Sequence, residues 1–354
     1  MLKNTWQVIL SSVFLWIILQ KKKMRSLENI YNQLDAIQSD CVLIFDLFRD
    51  HIFSDIDYYS IVPNVPMWIR DVGNSAEGGL TKEQFELFVR ENNNVLTNKL
   101  LYKFDCDLLV AALQDRFSMI SSMIERFYQR MPYESKYKME DFDSTTMTMS
   151  SADADIFAFL NSIFVFLGSA FDLMAKISTE LYCVDTIDYS DYPNLKSKNV
   201  QFGDNKLINE TLKGSEMIFS RPNIVKKIEA IRNRIIHDGS FDFRQIIYIG
   251  YIDQKDYSES CILFPDMGDS YFASYKNRRN FYSESNRINI SLPQLLNEIL
   301  QVINNTTKQI ISIYNRDIYI NENDAVTYKD DILNWSKSAF KVFGITQESS
   351  QTEK

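Results

Sequence analysis

Histidine is nearly missing from this chain: His51 and His237 are the only two among 354 residues. The four cysteines, Cys41, Cys106, Cys183 and Cys261, are far apart and form no Cys-x-x-Cys pair. They read as reduced, mostly buried thiols of a cytosolic protein. With so little histidine and cysteine, no metal site is expected. Glycine (10) and proline (7) are too scarce to interrupt the chain often, which favours long helices over a turn-rich sheet protein. Basic residues are outnumbered, 38 Lys and Arg against 47 Asp and Glu, for a net charge of −9. That argues against a broad nucleic-acid-coating surface, so any RNA contact must be local. No P-loop, dinucleotide fingerprint, His-Glu-x-x-His or Gly-x-Ser-x-Gly occurs, and no cofactor is expected.

What is present is apolar material, 45% of the residues, much of it at helical spacing. The length suits one large domain or two. Ile30, Leu34, Ile37, Cys41, Ile44 and Phe48 predict a helix over 27–53. His51 closes it, as a surface or capping residue. Residues 55–74, with Pro63 and Pro66, read as loop or short edge strand. Thr81 and Gln84 form a capping box that opens a helix to about 93. A long helix spans 100–131, with Leu109, Leu113, Phe117, Ile120, Ile124 and Phe127 on one face. Residues 132–148 are polar and form the best candidate domain boundary or exposed loop. Ser150 or Ser151 then caps a helix over 154–182 that is apolar almost all round, hence central to its bundle. Residues 185–221 read as a long loop. Two β-like runs, 245–252 and 261–264, suggest a hairpin or small sheet. Ser291 with Gln294 opens a last strong helix, and beyond 319 lies a short appendage with Ile332, Trp335, Phe340 and Phe343 able to dock. Residues 349–354 read as a disordered tail.

The segment richest in chemistry is Ile231-Arg232-Asn233-Arg234-Ile235-Ile236-His237-Asp238-Gly239. The helix that carries it starts near Pro222, and Ile224, Ile228, Ile231 and Ile235 form one apolar stripe. Gly239 is the expected stop. His237 falls in the last turn, where the helix dipole favours a proton on the imidazole. Asn233 and His237, at i and i+4, point largely away from the stripe, and Lys226, Glu229 and Ile236 share that outer face. Arginine suits phosphate because its planar fork donates two parallel hydrogen bonds. Histidine both takes and gives a proton near neutral pH.

These residues resemble the signature of HEPN domains, small helical bundles found in many RNA-cutting toxins and defence proteins. The family pattern is an Arg, then a polar residue, then a His with four to six residues between Arg and His. Here Arg232 and His237 are separated by four residues, and Asn233 fills the polar position. The resemblance covers roughly 149–317; the segment 159–172 also looks like the helix before the motif helix in some members. It implies a dimer whose two motifs face each other across a composite site, and a 2′,3′-cyclic phosphate product. The residues themselves point the same way. One motif supplies one histidine, whereas cleaving RNA without a metal needs a base for the 2′-OH, an acid for the leaving 5′-oxygen and a cation for the phosphorane. A symmetric dimer would supply the second group.

The expected architecture is therefore all-α: a HEPN-like bundle at 149–318, extra N-terminal helices at 25–132, a minor β-hairpin after the motif helix, and an appendage at 319–354. The expected function is a metal-independent endoribonuclease of toxin or antiviral-defence type. His237 is acid/base, Arg232 the phosphate clamp and Asn233 an orienter, with Arg234 and Lys226 as auxiliary charges. Asp172 has two readings, a partner that orients Arg232 or part of a satisfied polar seam with Asn161 and Gly168. The run 271–282 interleaves aromatic and basic groups; Tyr275, Lys276, Arg278, Arg279, Phe281 and the later Arg287 either contact single-stranded RNA or form a solvated turn. The chief alternative is a non-catalytic HEPN-like dimer that binds nucleic acid, a nucleotide or a protein partner; an antitoxin or regulatory partner fits either. A purely structural motif, capping and salt-bridging, is a further reading. The body is expected in the cytoplasm. Residues 6–19 are apolar and precede Lys21-Lys22-Lys23. They stay open as a short membrane anchor, a non-native stretch before Met24, or a helix packed on the bundle.

Overall fold

In the computed structural model, residues 2–76, 79–204, 206–242, 244–268, 270–317 and 327–343 are described, with backbone alone at 2–26, 67, 254 and 340. The apolar run at 6–19 and the tail at 349–354 therefore fall outside the residues whose side chains are described. The helices are α1 (Leu2–Ile52), α2 (Tyr58–Ile61), α3 (Met67–Asp71), α4 (Lys82–Glu91), α5 (Val95–Arg130), α6 (Ser151–Cys183), α7 (Asn223–Asp238), α8 (Ile288–Tyr314) and α9 (Lys329–Val342). The strands are β1 (Ser144–Thr148), β2 (Ile247–Ile252) and β3 (Tyr257–Cys261).

The predominance of helix agrees with the composition. Local signals predicted several ends well. Thr81 and Gln84 close a reciprocal capping box on α4. Ser150 caps α6: its hydroxyl accepts from the Asp153 N–H at 3.2 Å, and the Asp153 carboxylate accepts from the Ser150 N–H at 2.7 Å. Other expectations are corrected. Residues 55–74 hold the short helices α2 and α3 rather than an edge strand. α8 begins three residues before Ser291, and Pro293 sits in its second turn, where the Asn289 carbonyl that it leaves without a helical donor accepts the Tyr128 hydroxyl.

The expected hairpin is part of a three-stranded antiparallel sheet in the order β1-β2-β3. β1 comes from the segment read as exposed loop and pairs Ser144–Thr148 against Tyr251–Ile247. A run of Ser, Thr and Met with its first four residues exposed carries no apolar alternation, so only the partner strand reveals it. β3 starts four residues earlier than expected, at Tyr257–Cys261. Gly250 of β2 is required: a Cβ there would meet the Phe142 ring at 2.4 Å.

By contacts the chain forms two compact units, and the division does not follow the polar segment 132–148. Unit 1 comprises residues 1–40, 114–171 and 210–309, and unit 2 comprises 41–113, 172–209 and 310–354. The core of unit 1 is built from Ile30, Leu34 and Ile37 of α1, Phe117, Ile120 and Ile124 of α5, Phe157, Leu160, Phe164 and Leu167 of α6, and Leu296, Ile299 and Ile303 of α8, all buried. Asn289, fully buried, ties three segments together: it donates to Pro132 O (2.7 Å), accepts the Ile262 N–H (3.0 Å), and its carbonyl accepts the Tyr128 hydroxyl (3.1 Å).

Unit 2 has its own core. The appendage does dock: Trp335 of α9 is fully buried and its indole N–H donates to Thr97 Oγ1 at 2.9 Å. Beside it, Asn92 donates to Ser338 Oγ at 2.9 Å. Glu180 is also fully buried, taking the Tyr102 hydroxyl and the Ser197 N–H. Among the described residues one helix, α6, is long and apolar enough to cross a membrane, and half of its most apolar window is buried inside the protein. A central bundle helix has that character.

Candidate functional site

α7 behaves as its sequence predicts. Pro222 precedes it, and Gly239 ends it at φ 85°, a left-handed conformation that glycine adopts without a Cβ penalty. The buried stripe is Val225, Ile228, Ile231 and Ile235. Val225 replaces Ile224 among the buried positions, and Ile224 is half-buried at the first turn. Asn233, Ile236 and His237 are exposed on the outer side, as is Lys226. Among the described residues His237 makes no hydrogen bond or ion pair.

Arg232 is held by a close approach to α6. A Cβ on Gly168 would lie 2.8 Å from Arg232 Cγ and 3.3 Å from its Cδ. The aliphatic stem thus crosses α6 where the helix has no side chain, and Nη1 donates to Asn233 Oδ1 at 2.9 Å. Part of the expected polar seam of α6 is therefore the seat of the motif helix. Asn161, on the same face, donates to Ser240 Oγ at 3.5 Å, just past the end of α7. Asp172 belongs to unit 2, where its carboxylate accepts the Phe202 N–H at 2.9 Å.

Arg234 is not displayed as an auxiliary charge. Its side chain is 11% exposed and stacks over the Phe272 ring, 4.5 Å from the centroid. It donates to Arg279 O (3.2 Å) and to Asn280 Oδ1, with Asp238 4.0 Å away. Burial lowers its pKa, and the Asp238 charge opposes that shift. Arg279, in turn, reaches Asp238 at 3.4 Å. Two arginines and one aspartate thereby fasten the aromatic and basic run to the last turns of α7, beside His237. Sequence reasoning missed Phe272, Asp238 and Gly168 in these roles. Gly168 carried a signal, a glycine within an otherwise apolar central helix; Phe272 and Asp238 carried none.

The run itself is a folded loop rather than a turn between strands. Tyr275 and Arg278 exchange backbone hydrogen bonds of 2.9 Å each way, with Lys276 at φ 51° between them. Its tip leaves Tyr271 67% and Tyr275 64% exposed, with Lys276, Arg278, Arg279 and Phe281 exposed as well. Arg287 is not among them. Its side chain is 11% exposed and holds Tyr137 O (2.8 Å), Ser135 Oγ (3.1 Å) and Glu259 (3.5 Å), so it anchors the sheet region. A groove of about 460 Å³ opens between the end of α7 (Asp238, Gly239) and the cap of α6 (Ser150), with Asp242 and Arg244 on its wall.

His51 departs from expectation: it is buried, not a surface cap. Its Nε2–H donates to Tyr314 O at 2.8 Å, and Nδ1 lies 3.0 Å from Asp185, which also takes a 2.6 Å bond from Arg316. Burial raises the Asp185 pKa, but hydrogen bonds from His51 and Arg316 outweigh it, for a net lowering. This cluster is a structural tie within unit 2. Among the described residues no three His, Cys, Asp or Glu side chains group to hold a metal ion.

Comparison with protein-family models, curated proteins and solved structures gives no match to this chain.

Proposed function

We propose that the chain is a metal-independent endoribonuclease of HEPN type, acting as a dimer in a toxin or antiviral-defence role with a cytoplasmic body. The observation that supports this reading is the grouping at the end of α7. Arg232 is seated on Gly168, Asn233 and His237 are exposed one turn apart, and an aromatic and basic loop is clamped alongside by Arg234 and Arg279. Exposed rings suit stacking with bases, and the loop cations suit phosphates. This gives a local RNA contact on a chain whose net charge disfavours a broad one.

In the proposed reaction, one His237 imidazole takes the proton of the ribose 2′-OH as that oxygen attacks phosphorus. A second imidazolium, from the other copy, gives a proton to the departing 5′-oxygen. Arg232 stabilises the charge on the phosphorane. The products are a 2′,3′-cyclic phosphate and a 5′-hydroxyl.

A second reading is a dimeric module that binds nucleic acid, a nucleotide or a regulatory protein without cutting. The observation that favours it is His237 itself, whose ring has no orienting acceptor among the described residues of its own chain; catalytic histidines are commonly held by one.

Incubating the purified protein with total RNA and tRNA in EDTA, wild type beside His237→Ala, tests both. Cleavage by the wild type alone, ending in cyclic phosphate, is expected. Equal cleavage by the variant would overturn the nuclease reading. Cleavage abolished by EDTA would move the chemistry to carboxylates. Retention of single-stranded RNA by a wild type that never cuts would favour the binding module.

A further inference from the structure

Unit 2 contains a cavity of about 340 Å³ that no part of the nuclease reading uses. Its lining is largely apolar: Ile69 and Val72 from α3 and the turn after it, Leu80 just before α4, Phe85 of α4, and Leu101 and Phe104 from α5, with Asn74 and Thr81 as neutral polar members. Pockets of this size and character hold small organic molecules oriented by a few polar groups.

One acid faces this cavity. Asp105 of α5 lines it, and Tyr192, from the loop after α6, donates its hydroxyl to Oδ2. Among the described residues Oδ1 has no hydrogen-bond partner, and no cation pairs with the carboxylate. The other titratable groups around it are Glu180 from α6, the buried Cys106 thiol of α5 and Lys82 from α4; α3 contributes none to the lining. Glu180 adds negative charge. Lys82 points outward, 82% exposed, 3.4 Å from Glu86. The cavity is thus oily on its walls and negative at one point, with no positive group inside to compensate. Asp105 is half-buried, and a carboxylate beside apolar walls with no cation paired to it among the described residues favours a ligand that brings one.

We propose that this cavity binds an organic cation with an apolar body, its ammonium placed on Asp105 and its hydrocarbon part between α3, α4 and α5. Phe85 and Tyr192, whose rings meet edge to face with centroids 6.3 Å apart, both line the cavity. They also line a second apolar groove of about 410 Å³ with Val89 of α4. Asp105 is the group that sets ligand charge; Tyr192 positions it.

Burial raises the Asp105 pKa to about 6, opposed by the Tyr192 hydrogen bond and reinforced by Glu180. An aliphatic amine stays protonated well above that range. Cation binding should therefore strengthen with pH as the carboxylate ionises, by roughly tenfold between pH 5 and pH 7.

Titration calorimetry of the full chain with 2-phenylethylamine tests this, beside the neutral 2-phenylethanol and the anionic 3-phenylpropanoate. The amine should bind saturably and at least tenfold more tightly than either analogue. Asp105→Asn should lose that preference, and Leu80→Trp, which puts a larger side chain into the lining, should abolish binding. No saturable binding of the amine by the wild type would overturn the proposal. So would equal binding of the anion, or an Asp105→Asn protein that still prefers the amine. Comparing the three ligands on the wild type needs no variant to fold. None of these outcomes depends on RNA cleavage.

Discussion

The stem of Arg232 runs over Gly168, with its Cγ 2.8 Å from where a Cβ on that glycine would stand. α7 can lie this close to α6 only because position 168 has no side chain. Gly168→Ala should force the arginine stem aside. Overpacking of this kind costs about 1–3 kcal/mol. The expected result is a lower denaturation midpoint together with reduced RNA cleavage, since the guanidinium would shift. A variant with full cleavage and an unchanged midpoint would show that the contact positions nothing.

His237→Ala should behave differently. The side chain is exposed and makes no polar contact among the described residues, so its loss should change stability by no more than about 0.5 kcal/mol. Cleavage should vanish. Thermal melting beside the RNA assay separates the two, and a large fall in melting temperature would mark the residue as structural.

Arg234→Ala should loosen the loop at 271–282 without removing any group assigned to the chemistry. The variant loses the stack on Phe272 and the bonds to Arg279 O and Asn280. Hydrogen bonds to charged groups are worth about 1.5–3 kcal/mol when buried, and less here, where one is exposed and the other part-buried. Limited proteolysis should find faster cutting inside the loop, and RNA affinity should fall more than the turnover of bound substrate. Protection equal to wild type would show that the loop is held by other contacts.

Acid should act in two directions on unit 2. Burial lifts both Asp105 and Asp107 to about 6, so folding favours their protonated forms. Their contribution is fully present below the unfolded carboxylate range and is lost as pH rises through about 6. Asp185 has the opposite sign: its pKa is lowered on balance by His51 and Arg316, so its contribution is present above the unfolded value and lost as pH falls. Asp105→Asn should therefore stabilise the protein at pH 7 and flatten the stability curve between pH 4 and pH 6. Urea titrations at those pH values would show it; an Asn variant less stable at pH 7 would mean that the carboxylate is favourably solvated there.

Trp335→Ala should undock α9. The ring is fully buried and bonded to Thr97. Removing a core tryptophan costs about 3–5 kcal/mol. Hydrogen exchange should rise in α9 and in the start of α5, while α7 keeps its protection.

Periodicity and end signals determined α7 by themselves. A buried apolar stripe, a proline before the first turn and a glycine after the last depend only on residues within a few positions of each other, and the outward placement of Asn233 and His237 follows from 3.6 residues per turn. The capping box of α4 and the serine N-cap of α6 were legible for the same reason. The identity of β1 was not, because a strand of small polar residues exists only by virtue of its partner, and that partner lies about a hundred positions further on. Whether a charged side chain is displayed or spent was equally beyond local reading. Arg234 and Arg287 look no different from Arg232 in the sequence, yet one is stacked on Phe272 and the other tied to Tyr137 and Glu259. His51 looked like a surface cap and is buried against Asp185. Burial and long-range pairing are properties of the assembled chain, so only the tertiary structure could decide which of these groups remain available for chemistry.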